Sequence, residues 1–144
     1  MARLGGGCLC GEIRIEVEED IRFSLACHCA DCQRYNGGAP AYEAVFSRDA
    51  VKITKGVPRA YATKADSGRA ITRNFCGNCG TPLYVDLEKL PAHIVVAVGA
   101  LDAPNDFAIK AHIFAQSAPV WHQFTPGADV HPRDFPPPPG KPAT

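Results

Sequence analysis

Seven cysteines fall in three tight groups: Cys8-Leu9-Cys10, Cys27-His28-Cys29-Ala30-Asp31-Cys32 and Cys76-Gly77-Asn78-Cys79. A thiolate is a soft metal ligand as well as a nucleophile, and spacings of one or two residues let neighbouring sulfurs share an ion. Structural zinc takes four thiolates at about 2.3 Å in a closed tetrahedron. Joining the CxC pair to the distant CxxC pair supplies four, so Cys8, Cys10, Cys76 and Cys79 read as a structural zinc site. Such a site ties the start of the chain to its middle, and closing so long a loop stabilises the folded state. The glycines of Cys76-Gly77-Asn78-Cys79-Gly80 suit a zinc knuckle, because they let backbone N–H groups turn toward the sulfurs. The middle group has three cysteines and no fourth, the count of a catalytic zinc that leaves one position for water or substrate. Cys27, Cys29 and Cys32 therefore read as a second zinc site, open on one side and catalytic, for two Zn2+ per chain.

His28 lies inside the middle group. Along an extended CxC its side chain points away from Cys27 and Cys29, which leaves it outside the ligand set. His93 and His112 fall in predicted strands, where a packed, hydrogen-bonded histidine is the ordinary case, and neither is assigned to a metal. Scattered buried thiols do not explain three tight groups, and iron–sulfur clusters draw on four cysteines in runs unlike these. One alternative stays open: both zincs are structural, and a histidine or a partner protein fills the fourth position of the second.

The elements that must carry these cysteines are short. Glu12 to Val17 alternates strictly, with Ile13, Ile15 and Val17 on one side, the period of a half-buried strand. Similar runs at Tyr42 to Phe46, Val51 to Thr54, Arg59 to Thr63, Ala70 to Phe75, Leu83 to Val85, His93 to Val98 and Ala111 to Ala115 are separated by Gly, Pro, Asn and Asp. The expected fold is mainly β. One helical turn, Ala30 to Tyr35, follows the middle cysteines and is stopped by Asn36-Gly37-Gly38. A zinc-binding domain over residues 1–125 is expected to be followed by a proline-rich tail over 126–144, running as extended polyproline and disordered near its end.

Charge and hydropathy narrow the function. Lys plus Arg equals Asp plus Glu at 15 each, so no basic excess is available to neutralise phosphates. Seven thiolates on two zincs would shift the balance further to the negative side, and nucleic acid is not an expected partner. The longest apolar stretch, Ile94 to Leu101, is too short for a membrane span, and the first residues do not resemble a signal peptide. An odd number of cysteines in metal-ligand spacings points to reducing cytoplasm and not to a secreted disulfide framework.

The order Gly6-Gly7-Cys8-Leu9-Cys10-Gly11, Cys27-His28-Cys29-Ala30-Asp31-Cys32-Gln33 with Gly38-Ala39, and Arg73-Asn74-Phe75-Cys76-Gly77-Asn78-Cys79-Gly80-Thr81-Pro82-Leu83 resembles the glutathione-dependent formaldehyde-activating enzyme family, which also includes centromere protein V. The late segment Lys110-Ala111-His112-Ile113-Phe114 with Trp121 is similar to that family's closing strand. The resemblance implies small antiparallel sheets around zinc in a tent-like β fold. It also implies one structural zinc on Cys8, Cys10, Cys76 and Cys79, and a second zinc on Cys27, Cys29 and Cys32 where the sulfur of glutathione binds. A carbon–sulfur lyase follows as the expected activity, joining glutathione or a related thiol to formaldehyde. Arg34 and Arg73 are candidates to pair with the thiol's carboxylates, and backbone N–H groups at Gly37, Gly38 and Ala39 to face a developing alkoxide. The rival expectation is a zinc-stapled module that binds another protein without catalysis.

Overall fold

The computed structural model describes residues 3–105 and 107–136, which form two compact units. Of the described residues, the first comprises 3–23, 43–105 and 107, and the second 24–42 and 108–136.

In the first unit, β1 (Leu4–Gly7), β2 (Arg14–Val17) and β5 (Val51–Lys55) make a three-stranded antiparallel sheet with β2 in the middle. Three glycines in β1 deny it the apolar alternation that marks a strand in sequence. They are there for closeness: a Cβ on Gly6 would lie 2.5 Å from the Ala100 carbonyl oxygen. Beside this sheet's residues the unit contains β4 (Ala41–Ser47, from Glu43 onward), β6 (Arg59–Lys64), β7 (Ala70–Phe75), β8 (Pro82–Leu87) and β9 (His93–Ala97), ordered β4-β9-β8-β7-β6 and antiparallel throughout. Ile15 and Val17, inward positions that alternation predicts, pack in one buried cluster with Ala44, Phe46, Ile94, Val96 and Leu101. A second cluster gathers Cys8, Ile13, Cys76, Leu83 and Ala100.

In the second unit, β10 (Ala111–Ile113) lies between β3 (Phe23–Cys27, from Ser24 onward) and β11 (Asp129–Val130), parallel to both. The helix α1 (Ala30–Asn36) follows β3 after two residues. It ends at Gly37, whose φ of 73° is left-handed and whose N–H donates to Gln33 O. Asp129 and Val130 belong to the segment expected to be a tail, and they are held as a strand by Asp129 N–H to Lys110 O at 3.1 Å and His131 N–H to His112 O at 2.9 Å. The run Pro137 to Pro139 and the end of the chain lie outside the described residues. Among the described residues no helix is long and apolar enough to cross a membrane.

Candidate metal centres

The first unit brings Cys8, Cys10, Cys76 and Cys79 together with their sulfurs all within 4.8 Å of one another. Cys8 and Cys10 stand at the end of β1, and Cys76 to Cys79 form the turn between β7 and β8. The Cys8–Cys10 sulfur separation is 3.6 Å and the Cys10–Cys76 separation 3.8 Å, bridging residues 66 apart in the chain. A tetrahedron of sulfurs around zinc at about 2.3 Å has edges of about 3.8 Å, so this donor set fits the ion.

The surrounding donors favour thiolates. The Ile13 N–H reaches Cys8 Sγ at 3.2 Å, and Thr81 Oγ1 lies 3.2 Å from Cys79 Sγ while accepting the Leu9 N–H at 3.0 Å. Burial pushes the Cys8 thiol up, but the N–H groups of Ile13 and Gly11 and the neighbouring cysteines outweigh it and hold it below its ordinary value. The Thr81 hydroxyl, then the N–H groups of Thr81 and Cys10, hold Cys79 well down. For Cys76 the Cys79 N–H pulls the thiol down, yet burial and the hydrogen bonds with Cys79 and Cys8 leave it raised. A groove of about 570 Å³ opens beside this centre, lined in part by Cys10, Lys55, Val57 and Asn78. With four sulfurs already converging, the centre has no position left for a ligand from that groove.

The second unit gathers Cys27, Cys29 and Cys32, again within 4.8 Å. Cys27 ends β3 and is buried, whereas Cys29 and Cys32 are half-buried. Cys29 is the N-cap of α1: its sulfur accepts the Cys32 N–H at 3.3 Å, and its carbonyl accepts the Gln33 N–H at 3.0 Å. One turn of helix therefore aims two sulfurs the same way, and N–H donation to the cap sulfur favours its thiolate. Among the described residues no His, Asp, Glu or further Cys joins this group, and three soft donors fit a zinc with one position left open.

His28 is fully buried and belongs to a different cluster, with His112, His122 and Phe124. Its Nε2 lies 2.8 Å from His112 Nδ1. Burial, then the charges of His122 and His112, push His28 down to about 4, and burial likewise lowers His112. His28 thus stands apart from the sulfurs, as the extended chain predicts, with its ring fully buried. His122 and Phe124 were not singled out in the sequence, since nothing in their spacing marks them.

The remaining candidates are spread over both units. Arg34 is exposed on the last turn of α1, and Gly38 follows it in an open bend. The Gly37 N–H is committed to the helix end. Arg73 is buried on β7 in the first unit and donates to Thr63 Oγ1 at 3.2 Å.

The sequence pattern of the family described as glutathione-dependent formaldehyde-activating enzyme matches residues 3–117. The chain belongs to that family. It is 29% identical over 93 residues to a protein of Fusarium vanettenii named "Putative glutathione-dependent formaldehyde-activating enzyme", covering 61% of this chain and 49% of that one. A protein of the same name from Pyrenophora teres f. teres is 30% identical over 79 residues, covering 54% and 40%. The chain thus spans about half the length, or less, of these curated relatives. A solved Rhodobacter sphaeroides protein shares the fold, with a TM-score of 0.55 at 23% identity over 68% of this chain and 87% of that one.

Proposed function

We propose that this family member is a zinc-dependent carbon–sulfur lyase that joins glutathione, or a related small thiol, to formaldehyde and reverses the same step. The thiol sulfur bonds to the aldehyde carbon, the carbonyl π bond breaks, and the thiol proton ends on the new hydroxyl. S-hydroxymethylglutathione forms without any change of oxidation state.

The observation that carries the reading is the contrast in donor number: three sulfurs, two of them half-exposed, where the other centre has four. Zinc held by Cys27, Cys29 and Cys32 would supply acidification of a thiol entering the open position. The chain's own contribution is placement. Cys29 and Cys32 are held on one helical turn, and Arg34 follows Cys32 on the same helix, close enough in sequence to meet a substrate carboxylate. The open backbone at Gly38 is the candidate to face the developing alkoxide. Arg73, buried and engaged with Thr63, suits a packing role better than substrate binding. The thiolates must stay reduced, which makes the cytoplasm the setting this proposal requires.

Zinc-edge X-ray absorption before and after adding glutathione tests the proposal. Four and three sulfurs average about 3.5 per zinc, and a bound thiol should raise that toward four. No change, with a nitrogen in the fourth position, would refute it. The fully exposed Val120 and largely exposed Trp121 favour a second reading, a zinc-stapled surface that docks another protein. That reading predicts no response of either zinc to glutathione and loss of docking in Trp121→Ala.

A further inference from the structure

His28, His112 and His122 each bring a ring nitrogen within 4.8 Å of the others, an arrangement that invites a third metal ion. A single backbone hydrogen bond argues against that use. The Thr125 N–H donates to His112 Nε2 at 3.1 Å, so Nε2 presents a lone pair. A neutral imidazole carries one ring proton, which in His112 must then sit on Nδ1. His112 Nδ1–H donates to His28 Nε2 across 2.8 Å, and the proton of His28 is left on its own Nδ1. Both nitrogens of His112 and one of His28 are committed, and an ion held by all three rings would have to break one of these two bonds.

The same bonds immobilise the segment between two cysteine ligands. The His28 N–H donates to Ile113 O at 3.0 Å, and its carbonyl accepts Gln33 Nε2 at 2.8 Å. Gln33 Nε2 also donates to Ser117 O at 2.9 Å. Phe124 packs edge-on against both rings, with centroids 5.3 Å from His28 and 5.0 Å from His112. His28 is thus held through its N–H, its carbonyl and its ring, with Cys27 on one side and Cys29 on the other.

We infer that His112 is a positioning residue for the second cysteine centre: acting through the ring of His28, it holds Cys27 and Cys29 in register for one ion. The inference rests on Cys27, Cys29 and Cys32 binding metal, and it stands or falls independently of the lyase chemistry.

Two measurements on the full zinc-loaded chain test it. Long-range proton–nitrogen NMR of the imidazoles should find His28 and His112 each protonated on Nδ1 and neither bound to metal. A proton on His28 Nε2, or a metal-bound ring nitrogen in either residue, would overturn the assignment. The second measurement is chelator competition on His112→Phe and His112→Asn, with the Cys8, Cys10, Cys76 and Cys79 zinc serving as the internal standard for folding. Phenylalanine keeps the ring and removes both nitrogens, whereas asparagine restores an N–H near the position of Nδ1. The phenylalanine variant should release the second zinc about 10–100-fold more readily while the first is unaffected, and asparagine should recover most of that loss. Equal release from both sites, equal loss in both variants, or unchanged affinity would each sink the positioning role. Should His112→Phe fail to fold, the asparagine variant and the tautomer measurement still decide.

Discussion

The two cysteine centres differ in how far the chain travels to make them. The first joins residues 66 positions apart and shares its cluster with Ile13, Leu83 and Ala100, so metal ligands and apolar core are the same structure. The second takes all its sulfurs from Cys27 to Cys32, a strand end and the first turn of a seven-residue helix. A long-range site closes a loop and stabilises the unit around it, whereas a local site adds little to loop closure and is at liberty to hold fewer ligands. The proposed function assigns stability and an open coordination position to different centres.

The largest effect that sharpens this contrast is expected from Cys76→Ser. Structural zinc contributes on the order of 10 kcal/mol to the domains it closes. The variant should lose one zinc and the cooperative unfolding of the first unit, as read by metal content and calorimetry. A protein that melted normally would break the comparison. Cys29→Ser should reduce adduct formation at least about 100-fold, by NMR of formaldehyde with glutathione, because chemistry at an open site depends on its ligand geometry. Its first zinc and its melting temperature should change little, and full activity in this variant would remove the proposed mechanism.

Packing effects come next. Leu83→Ala, at a fully buried position beside Cys8 and Cys76, should cost about 2–5 kcal/mol in urea denaturation and loosen the first zinc without touching the second. Gly37→Ala meets no steric obstacle but places a side chain at φ 73°, a cost of about 1–2 kcal/mol confined to the end of α1.

The smallest effect concerns acid. Burial raises the Glu19 carboxyl, but the Ser47 N–H at 2.6 Å, the Ser47 hydroxyl at 2.8 Å and Arg22 outweigh it and hold it below the usual carboxylate range. Its ionised form therefore stabilises the first unit above the ordinary glutamate value, and that contribution is lost as pH falls through the lowered one. Glu19→Gln should flatten this part of the pH–stability curve, and an unchanged curve would remove Glu19 as its source.

Legibility followed the same division between local and distant. Alternation located β2, and short runs bounded by Gly, Pro, Asn and Asp located the ends of β4 to β9 within a few residues. Both signals missed β1, whose Gly6 is required by the approach of Ala100, and β11, two exposed residues held by backbone bonds. β3 was also missed: its five residues are buried at four successive positions and show no alternation.

Spacing marked Cys8 with Cys10, Cys27 with Cys29 and Cys32, and Cys76 with Cys79 as able to share an ion, whereas the fold brings Cys10 to within 3.8 Å of Cys76 across 66 residues. The sequence likewise placed the helix after the middle group, through the glycines that stop it. Only the tertiary structure decided what His28 does. Its ring partner is His112, which in turn accepts the Thr125 N–H, and no spacing in the sequence records contacts 84 residues apart.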